Sequence, residues 1–157
     1  MLGNDIVDLQ KAKIESNYNR KGYLDKIFTL DEKKYIEESI NQEVAVWKLW
    51  SRKEAVYKII IRQGGNRGYY PIKIECLNDG IVQFEKELFY TKTYFNKHFI
   101  YTEAVTNLKD FKNIKTVKIS DAIFKINNIP FINSNAIIFN VSKTHHGRFE
   151  KIIYLKK

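Results

Sequence analysis

A helix-forming segment at residues 43–62 constrains the fold of this chain more than any other stretch of its sequence. The segment reads EVAVWKLWSRKEAVYKIIIR, and its apolar residues recur with the spacing of a largely buried amphipathic helix. Glu54 and Lys58 stand four residues apart, so the two side chains share one helical face. Trp47 and Trp50 lie one to two turns earlier on much the same side. The charged pair is either an ion pair on a solvated face or a carboxylate and an ammonium held under aromatic cover for metal or proton chemistry.

Length, charge and cysteine usage narrow the class of protein. We expect a single domain over residues 1–157, because that length can bury a core of its own. The single cysteine, Cys76, excludes an internal disulfide and suits a reducing cytoplasm. The N-terminus is charged within its first residues and no apolar run approaches membrane-spanning length, so we expect a cytoplasmic protein without signal peptide or membrane segment. The net charge of +9 predicts an anionic partner, whether nucleic acid, a phosphorylated small molecule or an acidic protein.

The residues before the central segment predict a strand and a further helix. Residues 3–9, GNDIVDL, favour a short buried strand that carries Asp5 and Asp8. A carboxylate beside a buried strand needs a cation or a hydrogen-bonding partner, and the alternative is that each aspartate caps a turn. Thr29 and Glu32 have the spacing of a capping box at the start of a helix.

After the central helix the pattern changes from helical to alternating. The sequence GGNRG at 64–68 favours a helix C-cap, and its backbone N–H groups and arginine suit a phosphate as well. Asn78-Asp79-Gly80 predicts a tight turn between residues 69–76 and a long strand over 81–95. Further strands are predicted at 98–105 and 114–120, and a turn at Asn127-Asn128 and Pro130. Two last strands would join at His146-Gly147, so the order of elements predicts an α+β fold with a mostly antiparallel sheet.

Three motifs stand in an order that resembles the 4'-phosphopantetheinyl transferase superfamily. The first is the G-x-D pattern of Gly3 and Asp5. The second, W-x-x-K-E-A-x-x-K, is filled without a gap by Trp50, Lys53, Glu54, Ala55 and Lys58. The third is a looser S-x-S/T-H pattern at Ser142, Thr144 and His145. The order resembles the short holo-acyl-carrier-protein synthase type, and residues 69 to about 135 carry no motif of the family.

The resemblance implies an activity and a fold. It implies Mg²⁺-dependent transfer of 4'-phosphopantetheine from coenzyme A to a serine of an apo acyl carrier protein. It also implies a single lobe in which an N-terminal strand and helices pack on the sheet. The short type is typically trimeric, with sites between subunits, so a homotrimer is expected.

The resemblance also distributes the roles among residues of this sequence. Asp5 and Glu54 would hold Mg²⁺, a hard cation that takes one or two carboxylates, waters and phosphate oxygens. Asp5, Glu54 and Lys58 would be catalytic. Lys58 would either help to deprotonate the serine or balance the leaving phosphate, and whether Glu54 or a metal-bound water is the base stays open. The residues expected to contact coenzyme A are Lys53, Lys58, Gly65, Asn66, Arg67, Ser142, Thr144 and His145. The basic residues expected to dock the acidic carrier are Lys11, Lys13, Arg20 and Lys21.

Small departures from the family pattern leave the expected roles in place. Asp8 replaces a glutamate, Asn4 replaces an apolar residue, and Lys143 stands inside the third motif. Adjacent strand residues face opposite ways, so His145 and His146 do not make a zinc pair. Two alternatives remain, a non-catalytic relative that binds carrier proteins and a basic nucleic-acid-binding module. The second leaves the carboxylates of the first two motifs unexplained, so we expect neither nucleic acid nor membrane as a partner.

Overall fold

The computed structural model of the chain describes residues 1–117, 123–134 and 137–156. The predicted α+β fold is confirmed, because one strand is followed by the helices and then by the remaining strands of two antiparallel sheets. The helices are α1 (Leu9–Glu15), α2 (Leu30–Glu38) and α3 (Gln42–Arg62). The strands are β1 (Leu2–Asp8), β2 (Ile74–Cys76), β3 (Ile81–Phe84), β4 (Glu87–Phe95), β5 (Phe99–Val105), β6 (Ile114–Thr116), β7 (Ile123–Ile126), β8 (Ile129–Ser134), β9 (Ile137–His146) and β10 (Phe149–Leu155).

The central segment forms α3, as predicted, with a cap at each end. Asn41 accepts a hydrogen bond from the Val44 N–H at 3.1 Å, which satisfies one of the free donors of the first turn. At the other end the N–H of Gly65 donates to the carbonyl of Ile60 at 2.9 Å, and the N–H of Gly64 donates to that of Ile61 at 3.2 Å. This is a Schellman motif, for which Gly64 supplies a φ of +93°.

Helix α3 packs along the first sheet, whose strand order is β1-β5-β4-β3-β2. The C-terminal half of α3 buries Val56, Ile59 and Ile60 against Val82 and Phe89 of that sheet. The N-terminal half packs with the other two helices, where both tryptophans join the core. The residues of this second cluster that come from α3 are Ala45, Val46, Trp47 and Leu49, with Trp50 packed against it. The central helix therefore contacts all five strands of this sheet.

Strand β1 lies so close to α3 that only glycine fits at one position. A Cβ atom on Gly3 would lie 1.9 Å from the carbonyl oxygen of Ala55. The two backbones are thus in direct contact, and this contact sets how near the side chains that follow on β1 come to α3. Packing therefore explains why the first motif has a glycine at position 3.

Gly3→Ala should therefore destabilise the protein by about 1–3 kcal/mol, because the added methyl group must push strand and helix apart. Urea denaturation followed by circular dichroism measures this loss. Gly68→Ala is the matched control, since a Cβ there meets only ring atoms of Tyr70 at 3.4 Å. Equal stability of the two variants would show that β1 and α3 can separate without cost.

The second sheet, with strand order β6-β10-β9-β8-β7, holds the free edge of β1 through side chains. One edge of β1 pairs with β5 along its length. On the other edge, backbone N–H groups of β1 donate to three alternate side chains of β9. These bonds join Asn4 N to Ser142 Oγ at 3.0 Å, Ile6 N to Thr144 Oγ1 at 3.1 Å, and Asp8 N to His146 Nδ1 at 2.8 Å. A small core of Leu2, Val105 and Ile153 fills the space between the sheets.

Most predicted turns are confirmed, but two strand predictions are wrong. Over residues 69–76 only β2 is a strand, because Pro71–Lys73 form a short 3-10 helix. Asp79 and Gly80 have φ of +55° and +77°, and Asn127 and Asn128 have φ of +50° and +64°, as tight turns require. The long strand predicted over 81–95 is instead two strands, β3 and β4, that reverse at Glu85 with a φ of +54°. The sequence FEKE carries no glycine, asparagine or proline to mark that turn. Of the strand predicted over 114–120, residues 118–120 lie outside the described part of the chain.

Candidate active site

Asp5, Glu54 and Lys58 come together where β1 crosses α3. Lys58 Nζ lies 3.7 Å from Asp5 Oδ1, and it donates a hydrogen bond to the carbonyl of Asn4 at 2.6 Å. It also donates to the carbonyl of Lys143 at 3.3 Å, so one ammonium joins α3, β1 and β9. The three residues predicted to be catalytic therefore form one cluster.

Burial sets the protonation of this cluster. The side chain of Asp5 is 13% exposed, and burial raises its pKa, against the opposing effects of Lys58 and of a hydrogen bond from Thr144. Burial and the neighbouring Asp5 raise the pKa of Glu54 to about 7, although Lys58 acts in the other direction. Burial also lowers the pKa of Lys58, while the two carboxylates oppose that change. Two carboxylates that repel each other in a partly desolvated place would be stabilised by a further cation.

The donor set fits a hard divalent cation bound by few protein ligands. Within residues 1–117, 123–134 and 137–156, no group of three or more His, Cys, Asp or Glu side chains forms a metal-binding cluster. The pair of Asp5 and Glu54 matches the pattern of Mg²⁺, which uses one or two carboxylates and completes its octahedron with waters and substrate phosphates. It does not match zinc, which takes three or four nitrogen and sulfur ligands.

Tyrosines, and not the two tryptophans, surround Glu54. A small cavity of about 110 Å³ is lined by Glu54 together with Tyr57, Tyr69 and Tyr70. The rings of Tyr57 and Tyr70 meet edge to face, with centroids 5.6 Å apart. Aromatic cover over the carboxylate was predicted, and the structure provides it from the residues after Glu54 instead of those before it.

The GGNRG loop lies between two cavities at the end of α3. Gly65 and Asn66 line one of about 400 Å³, and Arg67 lines another of about 200 Å³ together with Lys58 and Arg62. Arg62 donates hydrogen bonds to the carbonyls of Leu2 and Val141. Burial lowers the pKa of Arg62 to about 10, so its guanidinium stays charged at neutral pH. The residues predicted to contact phosphates at this loop are accessible to a ligand.

Lys53, in contrast, is almost fully buried, at the wall of the small cavity that Glu54 also lines. Its ammonium donates to Glu32 Oε2 at 2.8 Å, to the carbonyl of Pro71 at 3.0 Å and to that of Ile74 at 2.6 Å. All three N–H groups of an ammonium are thereby used, and the side chain is 1% exposed. The charge of Lys53 ties α3 to α2 and to the loop before β2, and its expected contact with coenzyme A stays a prediction.

The third motif divides between the two faces of β9. Ser142 and Thr144 are buried, and their hydroxyl groups are bonded to β1; Ser142 also lines the cavity of about 200 Å³ beside Arg67, and the expected contacts of both residues with coenzyme A stay predictions. Thr144 also donates to Asp5 Oδ1 at 3.2 Å, a role that the spacing of the motif did not predict. His145 is exposed on the opposite face, the face that also carries Lys143.

Asp8 and His146 brace the start of α1, next to the site. Asp8 is buried, caps α1 and accepts two side-chain hydrogen bonds from Arg148, at 2.9 and 2.8 Å, which hold the pKa of its carboxyl well below its usual range. Gly147 is required beside it, since a Cβ there would lie 2.4 Å from Asp8 Oδ2. The sequence analysis assigned no role to Arg148 or His146, because their shared partner, Asp8, lies far away in the chain.

The basic residues expected to dock a carrier are all on the surface around α1. Two of them are neutralised locally, since Lys11 pairs with Glu15 at 3.3 Å and Lys13 pairs with Glu43 at 3.5 Å. Arg20 and Lys21 are exposed in the segment after α1. None of the helices in the described ranges has the length and apolar character needed to cross a membrane.

Comparison with known families accounts for the first part of this architecture. The family model of the 4'-phosphopantetheinyl transferase superfamily matches residues 1–104, which include β1, all of α3 and β5 almost to its end. The chain therefore belongs to this superfamily of transferases. A search of curated proteins gives no match. Strands β6 to β10 lie outside the family match.

Proposed function

We propose that this protein transfers 4'-phosphopantetheine from coenzyme A to a serine of an apo acyl carrier protein. The observation that carries the proposal is the cluster of Asp5, Glu54 and Lys58 at the contact between β1 and α3. Membership in the superfamily supports the reaction class. The order of the three motifs supports the short holo-acyl-carrier-protein synthase type. We also propose that residues 1–157 act as one domain.

The transfer is a displacement at the β-phosphorus of coenzyme A. The serine Oγ forms a bond to that phosphorus, and the bond from the phosphorus to the bridging oxygen breaks. Adenosine 3',5'-bisphosphate leaves with the bridging oxygen and its electron pair. The serine proton passes to the carboxylate of Glu54, which would serve both as proton acceptor and as Mg²⁺ ligand.

Side chains of this site match the charges of that reaction. Asp5 and Glu54 would hold Mg²⁺, which when bound neutralises the charge on the diphosphate. Lys58 supplies a positive charge one helical turn from Glu54. Arg67, the backbone of Gly65 and Asn66, and His145 on the outer face of β9 are the proposed further contacts to coenzyme A. Exposed Arg20 and Lys21 would attract the acidic carrier.

Elements of one chain supply all the groups of this proposed site. Asp5 comes from β1, Glu54 and Lys58 come from α3, and Thr144 comes from β9. The homotrimer with sites between subunits stays a prediction, as does the cytoplasmic location.

Intact-mass spectrometry of an apo acyl carrier protein tests the proposal directly. The carrier, incubated with this protein, coenzyme A and Mg²⁺, should gain the mass of one phosphopantetheine group, and EDTA should prevent the gain. Several unrelated carriers are tested, because a protein with a narrow carrier preference would modify only one of them. No gain with any carrier, together with no binding of coenzyme A, would contradict the proposed function.

Thr144 gives a prediction about how the site is positioned. Thr144→Val removes the donor to Asp5 and the acceptor for the Ile6 N–H, so transfer should slow about tenfold and need more Mg²⁺. Thr144→Ser keeps the hydroxyl group and should restore most of the rate at the original Mg²⁺ requirement. The measurement is the transfer rate at a series of Mg²⁺ concentrations. A Val variant with the wild-type Mg²⁺ requirement would limit Thr144 to a packing role.

A further inference from the structure

Strand β9 is bonded to the free edge of β1 by three side chains that differ in how they respond to pH. Ser142 and Thr144 accept hydrogen bonds from β1 through their hydroxyl groups, and His146 accepts one from the N–H of Asp8 through Nδ1, at 2.8 Å. Serine and threonine hydroxyl groups do not titrate near neutral pH, whereas histidine changes its charge between pH 5 and pH 8. Of these three bonds, the His146–Asp8 bond is therefore the one that pH can break.

The His146–Asp8 bond fixes the tautomer of the imidazole ring. A ring nitrogen that accepts a hydrogen bond from an N–H group carries no proton, so Nδ1 is the bare nitrogen and Nε2 carries the hydrogen of the neutral ring. Nε2 lies 3.3 Å from Glu15 Oε2 and donates to it. The neutral ring thus joins β9 to the last residue of β1 and to the last residue of α1.

A protonated ring does not fit this arrangement. Its Nδ1 would carry a hydrogen that points at the hydrogen of the Asp8 N–H, so repulsion would replace the bond. Asp8 is 1% exposed, and a buried N–H group that loses its acceptor is costly. The protonated ring therefore has to turn away from β1, and the strand loses one of its three bonds to β9.

The charged groups around His146 do not offset this loss. Glu15 attracts a protonated ring, but its side chain is 49% exposed, and ion pairs at exposed positions are weak. Glu15 is also paired with Lys11 at 3.3 Å. The carboxylate of Asp8 is bound by the guanidinium of Arg148, whose positive charge disfavours a second cation beside it.

The residues nearest to His146 in β9 and β10 add no compensating charge. Across the sheet, the residue opposite His146 is Phe149. His145 lies on the other face of β9, because adjacent strand residues face opposite ways, and the residue opposite it is Glu150. The carboxylate of Glu150 is paired with Lys143 at 2.7 Å on that other face.

The His146–Asp8 bond is next to the contact that holds the carboxylate cluster. On β9, Thr144 stands two residues before His146 on the same face, and it donates to Asp5 Oδ1 at 3.2 Å. On β1, Asp8 stands three residues after Asp5 and caps the start of α1. Loss of the bond should therefore loosen the strand that carries Asp5 and the helix that follows it.

We propose that His146 is a positioning residue whose neutral ring holds β9 to β1, and that its protonation opens this bond and slows transfer. The statement about transfer rests on the proposed function, whereas the statement about the bond does not. The inference gives transfer a pH dependence that originates outside the carboxylate cluster.

Hydrogen exchange measured by NMR tests the His146–Asp8 bond in the full-length protein without any substrate. Between pH 8 and pH 5.5, the protection factor of the Asp8 N–H in the wild type should fall about tenfold, because the acceptor is lost. The protection factor is the ratio of the intrinsic to the observed exchange rate, so it accounts for the effect of pH on the intrinsic rate. In His146→Asn the side-chain oxygen can accept at either pH, and the protection factor should change less than about twofold.

The nitrogens of the ring give a second measurement, which needs no variant. At pH 8 the ¹⁵N chemical shifts of His146 should show a bare Nδ1 and a protonated Nε2. The opposite tautomer would overturn the proposal, because that ring offers no acceptor to the N–H of Asp8.

The pH profile of transfer tests the effect on the reaction. From pH 8 to pH 5.5 the rate of the wild type should fall about three- to tenfold more than that of His146→Asn, and the titration of Glu54 affects both proteins alike. His146→Phe lacks the acceptor at every pH and should be slow already at pH 8. His98→Asn is the control, an exposed histidine in the turn before β5, and should keep the wild-type profile. Circular dichroism confirms that the variants fold.

The outcomes separate this inference from the proposed function. Equal falls of the Asp8 protection factor in the wild type and in His146→Asn would overturn the pH-dependent bond. A pH-dependent bond together with equal pH profiles of transfer in these two proteins would overturn the effect on transfer. No transfer by the wild type at any pH would contradict the proposed function, whereas the exchange of the Asp8 N–H would still decide whether the bond opens.

Discussion

Replacing Glu54 by glutamine should reduce phosphopantetheine transfer about 100- to 1,000-fold while the fold is kept. Glutamine has nearly the same shape as glutamate, but it lacks the charge that holds Mg²⁺ and cannot accept the serine proton. The measurement is the rate at which an apo carrier gains mass at saturating coenzyme A and Mg²⁺. Glu75→Gln is the matched control, a half-buried glutamate on β2 outside the carboxylate cluster, and it should keep the wild-type rate. If Glu54→Gln transferred phosphopantetheine at the wild-type rate, Glu54 would have no role in the reaction.

The same variant should be more stable than the wild type when no metal is present and the pH is high. The pKa of Glu54 is about 7 in the folded protein and near 4.5 ordinarily, so the folded state binds more protons between these values. The wild type should therefore lose up to about 3 kcal/mol more stability than Glu54→Gln as the pH rises from 4.5 to above 7, since Asp5, whose pKa burial also raises, titrates in both proteins. Urea denaturation in EDTA at pH 5 and pH 8 measures this difference. Addition of Mg²⁺ at pH 8 should stabilise the wild type more than the variant.

The sequence alone predicted the part of the site that depends on local spacing. Glu54 and Lys58 are one helical turn apart, so helical periodicity placed them on one face without any tertiary information. The capping box at Thr29, the C-cap at Gly64 and the turn at Asn127 follow from the same kind of local rule, and all three are present. The meeting of Asp5 with Glu54 came from the resemblance to a family. Its physical cause, the contact of Gly3 with the backbone of Ala55, appears only in three dimensions.

The parts that the sequence did not predict depend on partners far apart in the chain. Ser142 and Thr144 stand in a motif and were expected to face coenzyme A, but each bonds to a strand residue 138 positions earlier. A period of two fixes which residues of a strand share a face, and it does not say which face meets the ligand. The cavity of about 200 Å³ beside Arg67 has the same origin, since Arg62 and Asn128 both line it but are far apart in the sequence.

Lys53 is the clearest case of a motif residue whose task is structural. Lys53→Met should destabilise the protein by about 3–5 kcal/mol, because it leaves the carboxylate of Glu32 buried without its counter-ion. Lys34→Met is the matched control, because Lys34 forms an exposed pair with Glu38 at 3.9 Å, and its loss should cost less than about 1 kcal/mol. Urea denaturation at pH 7 measures both changes in the free energy of unfolding.

A double-mutant cycle distinguishes this role from substrate binding. Glu32 also accepts hydrogen bonds from the N–H groups of Thr29 and Cys76, so Glu32→Gln alone should destabilise the protein as well. Lys53 and Glu32 neutralise each other's charge. The double variant Lys53→Met/Glu32→Gln should therefore lose clearly less free energy of unfolding than the sum of the losses in the two single variants. If Lys53 held a phosphate of coenzyme A instead, Lys53→Met would leave the stability unchanged and raise the KM for coenzyme A. The buried ion pair joins α2 to α3 one residue before Glu54, so the lysine of the motif supports the active site by fixing the helix that carries the carboxylate.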